Sequence, residues 1–277
     1  MSAPEQHVSV LQAETRRLEE FLGTLSHEDW QRSSRCDQWT VADVVAHLTA
    51  IDQDCAARLG RALHGDASPP PQASPIAGQA AADIAHHAIA VRQRLGDALL
   101  PTFSAAQSAL HEILAPIGPA DWDKPCYHPQ RSISIGLLID GLITERTLHG
   151  WDIQSVFDQH ARLSPACLPI VVERNAQRPR WRQAPLDAAP LAQSIRYRFD
   201  VTGVPRYRTD VILTDAQQYM EAVGNTPADV TFRCDGETFI LLMYGRIRAQ
   251  EAVSQGKMTF EGDAALVAAF NQRFQGG

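Results

Sequence analysis

The first half of the chain carries apolar residues at helical spacing. Between Val8 and Leu25 they recur at intervals of three, four and seven, and from Val41 to Leu63 they keep to one face. This spacing is typical of amphipathic helices. Thr40, with Asp43 three positions later, predicts the start of the second helix, because an N-cap side chain and an acidic N3 residue can exchange hydrogen bonds.

Two further helical runs follow. One begins near Ala80 and passes through Leu99, and we expect Pro101 to break or kink it before it continues over Ser104 to Ile117. The other is a long helix from about Ile133 to Phe157. The intervening segments, His64 to Gln79 and Gly118 to Ser132, are rich in proline and glycine and predict loops. Long helices with one apolar face bury it most easily against each other, so we predict a four-helix bundle.

The pattern changes after Pro190. Alternating apolar and polar positions predict strands, and longer apolar runs between them predict helices. The second half therefore reads as α+β. We predict two domains: a bundle over residues 1–178, a linker over 179–190 and an α+β domain over 191–277. The predicted strands are 194–203, 207–215, 228–235 and 257–263, and the predicted helices are 236–246, 247–254 and 264–274.

Composition narrows the class of protein. The 277 residues are 44% hydrophobic and 21% charged, no apolar run is long enough to cross a membrane, and the N-terminus lacks a signal-peptide pattern. We expect a cytoplasmic protein with no membrane partner, either a monomer or a homodimer. The net charge of −7 gives no general attraction to phosphate backbones, so we expect no nucleic-acid partner.

Two residue classes carry less information. The basic cluster Arg174 to Arg182 is interpreted as a solvated linker helix, although it could also meet an anionic ligand. The five cysteines are an odd number without a CxxC pair, which argues against a disulfide framework and a thiolate zinc knuckle. We expect reduced, mostly structural cysteines.

The segment LITERTLHGWDI, Leu142 to Ile153, carries the candidate chemistry. Glu145 and His149 are four residues apart, so both side chains can project from one helical face. Such a pair can be a solvated surface pair, a hydrogen-bonded core pair or half of a metal site. Its apolar neighbours favour burial, and a buried carboxylate needs a partner. His47, on the second helix, would complete a His2Glu set with an open fourth position, the arrangement of catalytic zinc.

These segments also carry a resemblance. WTVADVVAHL, Trp39 to Leu48, together with ITERTLHGWDI resembles the DinB-like metalloenzyme superfamily, and within it the mycothiol-dependent maleylpyruvate isomerase family. The resemblance implies that His47, Glu145 and His149 bind a divalent metal, usually zinc. Many DinB-like proteins have three histidines instead, so Glu145 favours the isomerase family.

The second half resembles a sterol carrier protein. The matching segments are ADVTFRCDGETFILLMYGR, Ala228 to Arg246, and AQEAVSQGKMTFEGDAALVAAF, Ala249 to Phe270. Pairing of this domain with the bundle is typical of the isomerase family. Together the two resemblances cover nearly the whole chain, most thinly between Gly60 and Gly118.

The resemblance implies thiol chemistry. A zinc ion with an open position favours the deprotonated form of a bound thiol. The thiol would be mycothiol or a related small molecule, and the substrate an electrophile such as maleylpyruvate. Addition of the thiolate to a cis double bond, rotation and elimination would give the trans isomer, and thiol S-transfer is the related activity. The alternative function is a non-catalytic metal-containing protein that binds an apolar small molecule. Phe239, Leu241, Leu242 and Met243 could line its tunnel, but they are interpreted first as core residues.

Several other residues could support the metal site or contact the substrate. Asp152, three positions after His149, either orients the histidine ring or is a surface carboxylate. His128 and Arg131, in the loop before the fourth long helix, are candidates for contact with the substrate. We expect packing for Trp151. We expect no metal ligand among the remaining histidines that lack matched spacing, His86, His87, His111 and His160.

Overall fold

The structure is a computed structural model that describes residues 3–36, 39–70, 81–129, 131–176, 180–183, 191–203, 206–215 and 217–274. Contacts divide the chain into two units, Met1–Cys167 and Leu168–Gly277. The division falls eleven residues before the predicted boundary at 178, because the helix that follows Cys167 packs within the second unit. Of the predicted linker, 179 and 184–190 lie outside the described residues, as do 71–79 of the first predicted loop.

The described part of the first unit contains five α-helices, and four of them form a ring of contacts. α1 contacts α5, α5 contacts α2, α2 contacts α4, and α4 contacts α1, while α3 packs mainly against α2. The predicted four-helix bundle is confirmed. A two-residue hairpin, β1 with β2, precedes α5. The elements are α1 Ala3–Leu22, α2 Val41–Leu63, α3 Ala81–Leu95, α4 Leu99–Leu114, β1 Pro125–Cys126, β2 Ile133–Ser134 and α5 Ile135–Gln154.

The starts of α2 and α5 are encoded locally. The Thr40 hydroxyl accepts a hydrogen bond from the Asp43 backbone N–H at 3.2 Å, and the Asp43 carboxylate accepts from the Thr40 backbone N–H at 2.9 Å. This capping box satisfies two donors that a helix N-terminus would leave unpaired. The Ser134 hydroxyl caps α5 with a single hydrogen bond, accepting from the Leu137 N–H at 3.1 Å.

Pro101 does not break the third helical run, and that expectation is wrong. Pro101 lies in the first turn of α4, where a backbone N–H has no partner within the helix, so proline costs nothing there. The run breaks earlier, at the short 3-10 helix Gly96–Ala98. Gly96 takes a φ of 50°, a left-handed conformation that favours glycine.

The second unit contains a six-stranded mixed sheet in the order β3-β6-β5-β4-β7-β8, in which β4 and β7 are parallel and the other pairs antiparallel. The predicted α+β class is confirmed. The elements are α6 Leu168–Ala176, β3 Arg180–Gln183, β4 Ile195–Thr202, β5 Tyr207–Leu213, β6 Gln217–Glu221, β7 Val230–Asp235, α7 Gly236–Met243, α8 Ala249–Ser254, β8 Met258–Gly262 and α9 Ala264–Arg273.

The basic cluster does not form a linker helix. Arg174 lies in the last turn of α6, residues 177–179 lie outside the described part, and Arg180–Gln183 pairs with β6 as the edge strand β3. An edge strand pairs on one side only, so flanking charged residues are compatible with it.

Aromatic side chains fill the core of the second unit. Tyr197, Phe199, Phe232 and Phe270 are fully buried, and the ring centroids of Tyr197 and Phe270 lie 4.8 Å apart. Phe239 joins this cluster from α7, 5.3 Å from Phe199. Leu241, Leu242 and Met243 are also buried. The four apolar residues that the alternative function assigns to a ligand are therefore core residues.

Candidate metal centre

The centre lies where α2 and α5 pack against each other. A buried ion pair holds the two helices together near it: Arg146 Nη2 on α5 lies 2.6 Å from Asp52 Oδ1 on α2, and both side chains are at most 1% exposed. Gln107 from α4 donates a hydrogen bond to the second oxygen of Asp52. Removal of one partner would leave a buried charge uncompensated, so this pair fixes how the helices approach each other.

Three predicted residues come together at this position. Glu145 Oε2 lies 3.6 Å from His47 Nε2 and 3.3 Å from His149 Nε2. The imidazole rings of His47 and His149 meet edge to face, with centroids 4.9 Å apart. Both histidines are more than 90% buried, whereas the Glu145 side chain is 41% exposed. Of the three side chains, that of Glu145 is therefore the most open to solvent.

The donor separations of these three residues fit a metal ion. Two ligand atoms bound to tetrahedral zinc at its usual bond lengths are about 3.4 Å apart. The observed values of 3.3 and 3.6 Å match that spacing and are longer than ordinary hydrogen bonds. Two histidines and one carboxylate are also a usual zinc donor set. The set could hold a divalent cation with one position left for another ligand.

A second group of close ligand atoms shares His149. Asp152 Oδ2 lies 2.9 Å from His149 Nδ1 and 2.9 Å from Cys36 Sγ, and Cys36 Sγ lies 3.4 Å from His149 Nδ1. Two of these three separations are shorter than the spacing of metal ligands and have the length of direct contacts. Asp152 therefore supports the ring of His149 from behind, as carboxylates commonly do for metal-binding histidines.

The surroundings set the charge state of each group. Burial lowers the pKa of His47, and the nearby His149 lowers it further, which favours neutral His47. Loss of hydration between the two rings would raise the pKa of Glu145, but the neighbouring His149 and His47 hold it well below its ordinary value. Burial would likewise lower the pKa of His149, but Cys36, Asp152 and Glu145 together raise it well above its ordinary value. Glu145 is thus an anion, ready to bind a cation.

Trp39 covers one side of the cluster. Its ring centroid lies 4.9 Å from that of His47 and 6.1 Å from that of His149, and its side chain is 8% exposed. In the sequence, Trp39 stands out only as part of a motif, and Cys36 is expected to be structural. Neither residue has a spacing to Glu145 or His149 that would signal the contact, because the loop before α2 brings them there.

The remaining candidates lie elsewhere. His128 and Arg131 lie in the turn between β1 and β2, where the Arg131 N–H donates to the His128 carbonyl at 3.1 Å. Their contact with a substrate stays a prediction. Trp151 is buried and donates from Nε1 to the Ala161 carbonyl at 3.0 Å, in line with packing. Within the described residues, the groups of close metal-ligand atoms contain His47 and His149 and no other histidine.

The protein therefore has two units. The first is a helical bundle with a candidate metal site of two histidines and one glutamate, and the second is an α+β unit with a mixed sheet. The family described as Mycothiol maleylpyruvate isomerase N-terminal domain matches residues 11–154, and the SCP-2 sterol transfer family matches residues 181–275. The first match spans more than half of the chain. The chain belongs to the mycothiol maleylpyruvate isomerase family, and it carries a sterol-carrier-like second domain.

Solved structures agree with the fold. The mycothiol-dependent maleylpyruvate isomerase is 15% identical, with a TM-score of 0.63 over 89% of this chain and 90% of that chain. A histidine-to-alanine mutant of the mycothiol-dependent maleylpyruvate isomerase is 14% identical, with a TM-score of 0.65 over 95% of each chain. No curated protein matches the chain. Among the described residues, the helices are too short or too polar to span a bilayer.

Proposed function

We propose that this protein is a divalent-metal-dependent enzyme that uses a low-molecular-weight thiol, of the mycothiol type, to isomerise or conjugate an electrophilic substrate. The observation that carries the proposal is the spacing of His47 Nε2, Glu145 Oε2 and His149 Nε2, with separations of 3.3 and 3.6 Å across two packed helices. Membership of the mycothiol maleylpyruvate isomerase family supports the thiol part.

His47, Glu145 and His149 would hold the cation, and we propose zinc. When bound, a zinc ion supplies Lewis acidity that favours the thiolate form of a thiol at neutral pH. Glu145 contributes the single negative charge of the ligand set. The centre therefore keeps a net positive charge, which attracts an anionic sulfur.

The other residues of the chain position and shield this chemistry. Asp152 accepts the Nδ1 proton of His149 and so leaves Nε2 free to bind. Trp39 covers His47 and His149 on one side and excludes water there. The exposed carboxylate of Glu145 marks the side from which thiol and substrate approach. We further propose that His128 and Arg131 contact the substrate, with Arg131 suited to an anionic group.

The reaction class follows from the thiol. Addition of a thiolate to a conjugated cis double bond forms a carbon–sulfur bond and makes the double bond single, rotation follows, and loss of the thiolate returns the trans isomer. If the adduct is protonated and released instead, the product is a thioether and the activity is S-transfer. Maleylpyruvate is the first substrate to test, because the family takes its name from it.

The test combines metal analysis with turnover. We expect the purified protein to hold about one zinc per chain and His47→Ala to hold almost none, because loss of one of three ligands removes the chelate. His160→Ala, which changes an exposed histidine, serves as the matched control and should retain zinc. Inductively coupled plasma mass spectrometry measures the metal.

Turnover is then measured with mycothiol and maleylpyruvate, and with further thiols and electrophiles. We expect isomerisation or conjugation that requires both metal and thiol. Full metal content in His47→Ala would show that the proposed centre is wrong. A zinc-loaded protein with no thiol-dependent turnover would favour the alternative of a non-catalytic protein that binds an apolar molecule. The burial of Phe239, Leu241, Leu242 and Met243 in the core speaks against that alternative.

A further inference from the structure

The carboxylate of Asp152 has two neighbours that donate to the same oxygen. Oδ2 accepts from His149 Nδ1 at 2.9 Å and from Cys36 Sγ at 2.9 Å. Asp152 is completely buried. A buried carboxylate loses its hydration and depends on such donors, so each of them helps to keep it in place.

Cys36 is held in this position by the loop before α2. The backbone N–H of Arg35 donates to the Asp152 carbonyl at 3.1 Å, which ties the loop to the last turns of α5. The Cys36 backbone N–H donates to the Ser34 hydroxyl at 3.1 Å. The cysteine thus reaches Asp152 through a fixed backbone and not through a mobile side chain alone.

The geometry around His149 Nδ1 is enclosed from two sides. Asp152 Oδ2 faces this nitrogen directly, and Cys36 Sγ lies 3.4 Å from it. Rotation of the Asp152 carboxyl group would break both contacts of Oδ2 at once. The thiol therefore opposes the rotation that would release the histidine ring.

We propose that Cys36 is a positioning residue for the metal centre: its thiol holds Asp152 Oδ2 against His149 Nδ1 and so keeps His149 Nε2 directed at Glu145 and His47. The proposal rests on the proposed function, since it takes these three residues as the metal ligands. Cys36 acts through Asp152 and does not bind the metal, the thiol or the substrate.

Three variants and one control test it on the full-length protein. Cys36→Ala removes the donor, Cys36→Ser restores a donor of similar size, and Cys36→Val fills the volume of the thiol without donating. Cys55→Ala is the matched control, because Cys55 is a buried cysteine on α2 that is absent from both groups of close ligand atoms. Zinc affinity is measured by competition with a chromophoric chelator.

We expect Cys36→Ala and Cys36→Val to weaken zinc binding about tenfold, in the range found when supporting partners of metal ligands are removed. Cys36→Ser should return most of the affinity, and Cys55→Ala should bind like the wild type. A merely structural role predicts the reverse order, with Cys36→Val closest to the wild type. If Cys36→Ala does not fold, the comparison of Cys36→Val with Cys36→Ser decides the question.

Nuclear magnetic resonance adds a readout specific to His149. In the zinc-loaded wild type, the Nδ1 proton should be protected from exchange with water, because Asp152 accepts it in a buried site. We expect faster exchange of this proton in Cys36→Ala and Cys36→Val, but not in Cys36→Ser or Cys55→Ala. Unchanged exchange and unchanged zinc affinity in Cys36→Ala and Cys36→Val would overturn the proposal.

Failure of this proposal can be told apart from failure of the metal centre. If His47→Ala binds zinc like the wild type, the centre itself is wrong and the role of Cys36 falls with it. If His47→Ala loses zinc while Cys36→Ala and Cys36→Val keep wild-type affinity, the centre stands and the positioning role alone is refuted.

Discussion

His149 uses both of its ring nitrogens. Nε2 faces Glu145 and His47, while Nδ1 faces Asp152 and Cys36. The two sides can be told apart by distance, since the separations from Glu145 Oε2 have the spacing of ligands around one cation and those from Asp152 Oδ2 have the length of hydrogen bonds. One imidazole thereby connects the part of the site that would bind a metal to the part that would orient it.

Asp210 provides a test of electrostatics in the second unit. Its side chain is fully buried and accepts from Arg198 Nε and Nη2 at 2.8 and 2.9 Å and from Arg196 Nη1 at 2.8 Å. Burial would raise the pKa of Asp210, but the hydrogen bonds from Arg198 and Arg196 lower it below its ordinary value. The ionised carboxylate is thus stabilised by folding.

We expect Asp210→Asn to lower the free energy of unfolding by about 2 kcal/mol at pH 7, because Arg198 loses its buried carboxylate partner, while Arg196 keeps Glu221 at 2.5 Å. A lowered pKa in the folded state gives stability above the unfolded pKa of about 3.9 and loses it as pH falls through the folded value. The difference between variant and wild type should therefore shrink below about pH 4. Urea denaturation at several pH values measures it.

Asp200→Asn is the control for this prediction. Asp200 is 23% exposed and pairs with Arg208 and Arg233, whose side chains are about half exposed. Exposed pairs contribute less than about 1 kcal/mol. An equal loss in both variants, or a loss in Asp210→Asn that does not depend on pH, would contradict the assigned role of Asp210.

Individual site residues were predictable to different degrees. His47, Glu145 and His149 could be selected because two lie four apart on one helix and the third lies on a helix with a matching apolar face. The sequence alone also allowed Glu145 and His149 to be a surface pair or a core pair. The family resemblance favoured the metal site over these two interpretations. Cys36 could not be predicted, because its contact with Asp152 joins residues 116 positions apart through an irregular loop.

At the scale of elements, a glycine at the start of α5 sets how closely the preceding loop approaches. A Cβ at Gly136 would lie 2.3 Å from Cε2 of Trp122, and the Gly136 N–H donates to the Trp122 carbonyl at 2.9 Å. Alanine is normally the better helix former by about 1 kcal/mol. Here the close contact reverses that preference, because Trp122 would have to move.

We expect Gly136→Ala to lower the free energy of unfolding by about 2 kcal/mol, in the range of overpacked sites. Gly60→Ala in α2 is the matched control, since a Cβ there meets nothing within 4 Å, and it should stabilise by about 0.5 to 1 kcal/mol. Thermal and chemical denaturation of both variants measures the two signs. Stabilisation by Gly136→Ala would show that the Trp122 contact does not constrain this position.

Elements with a strong period were predictable, and irregular ones were not. The capping box at Thr40 and Asp43 fixes the start of α2 at its predicted position. Pro101 misled because proline breaks a helix only where its missing N–H is needed, and the first turn does not need it. Strand β6, Gln217–Glu221, was missed because its alternation is short and mostly polar.

At the scale of the whole molecule, the candidate ligands all belong to the first unit. A ligand that binds only the native state of one unit stabilises that unit. At a free zinc concentration of 1,000 times the dissociation constant this amounts to about 4 kcal/mol. We therefore expect zinc to raise the melting temperature of the transition in which the first unit unfolds.

Differential scanning calorimetry with zinc and with a chelator measures this shift on the full chain. His47→Ala, which lacks a proposed ligand, should melt at the same temperature under both conditions. The prediction fails if zinc shifts the variant as much as the wild type, since binding would then be unrelated to the centre.

The fold class was predictable because periodicity changes from helical to alternating along the chain. The exact division was not, because α6 has an amphipathic helical pattern like those of the bundle yet packs against α7. Local pattern specifies that a helix forms, whereas its choice of partner depends on the facing surface. Gly236, at the start of α7, is part of that surface. A Cβ at this position would lie 3.3 Å from the Leu168 side chain.

The unequal exposure of the three proposed ligands governs how fast a cation would leave. His149 lies on α5, a helix buried along 15 of its 20 residues, and His47 lies on the buried face of α2, so both rings are enclosed by the bundle. The Glu145 side chain is 41% exposed and has more room to rotate. Release of the ion would then begin at Glu145. Its residence time would depend on rotation of the Glu145 side chain and not on separation of α2 from α5.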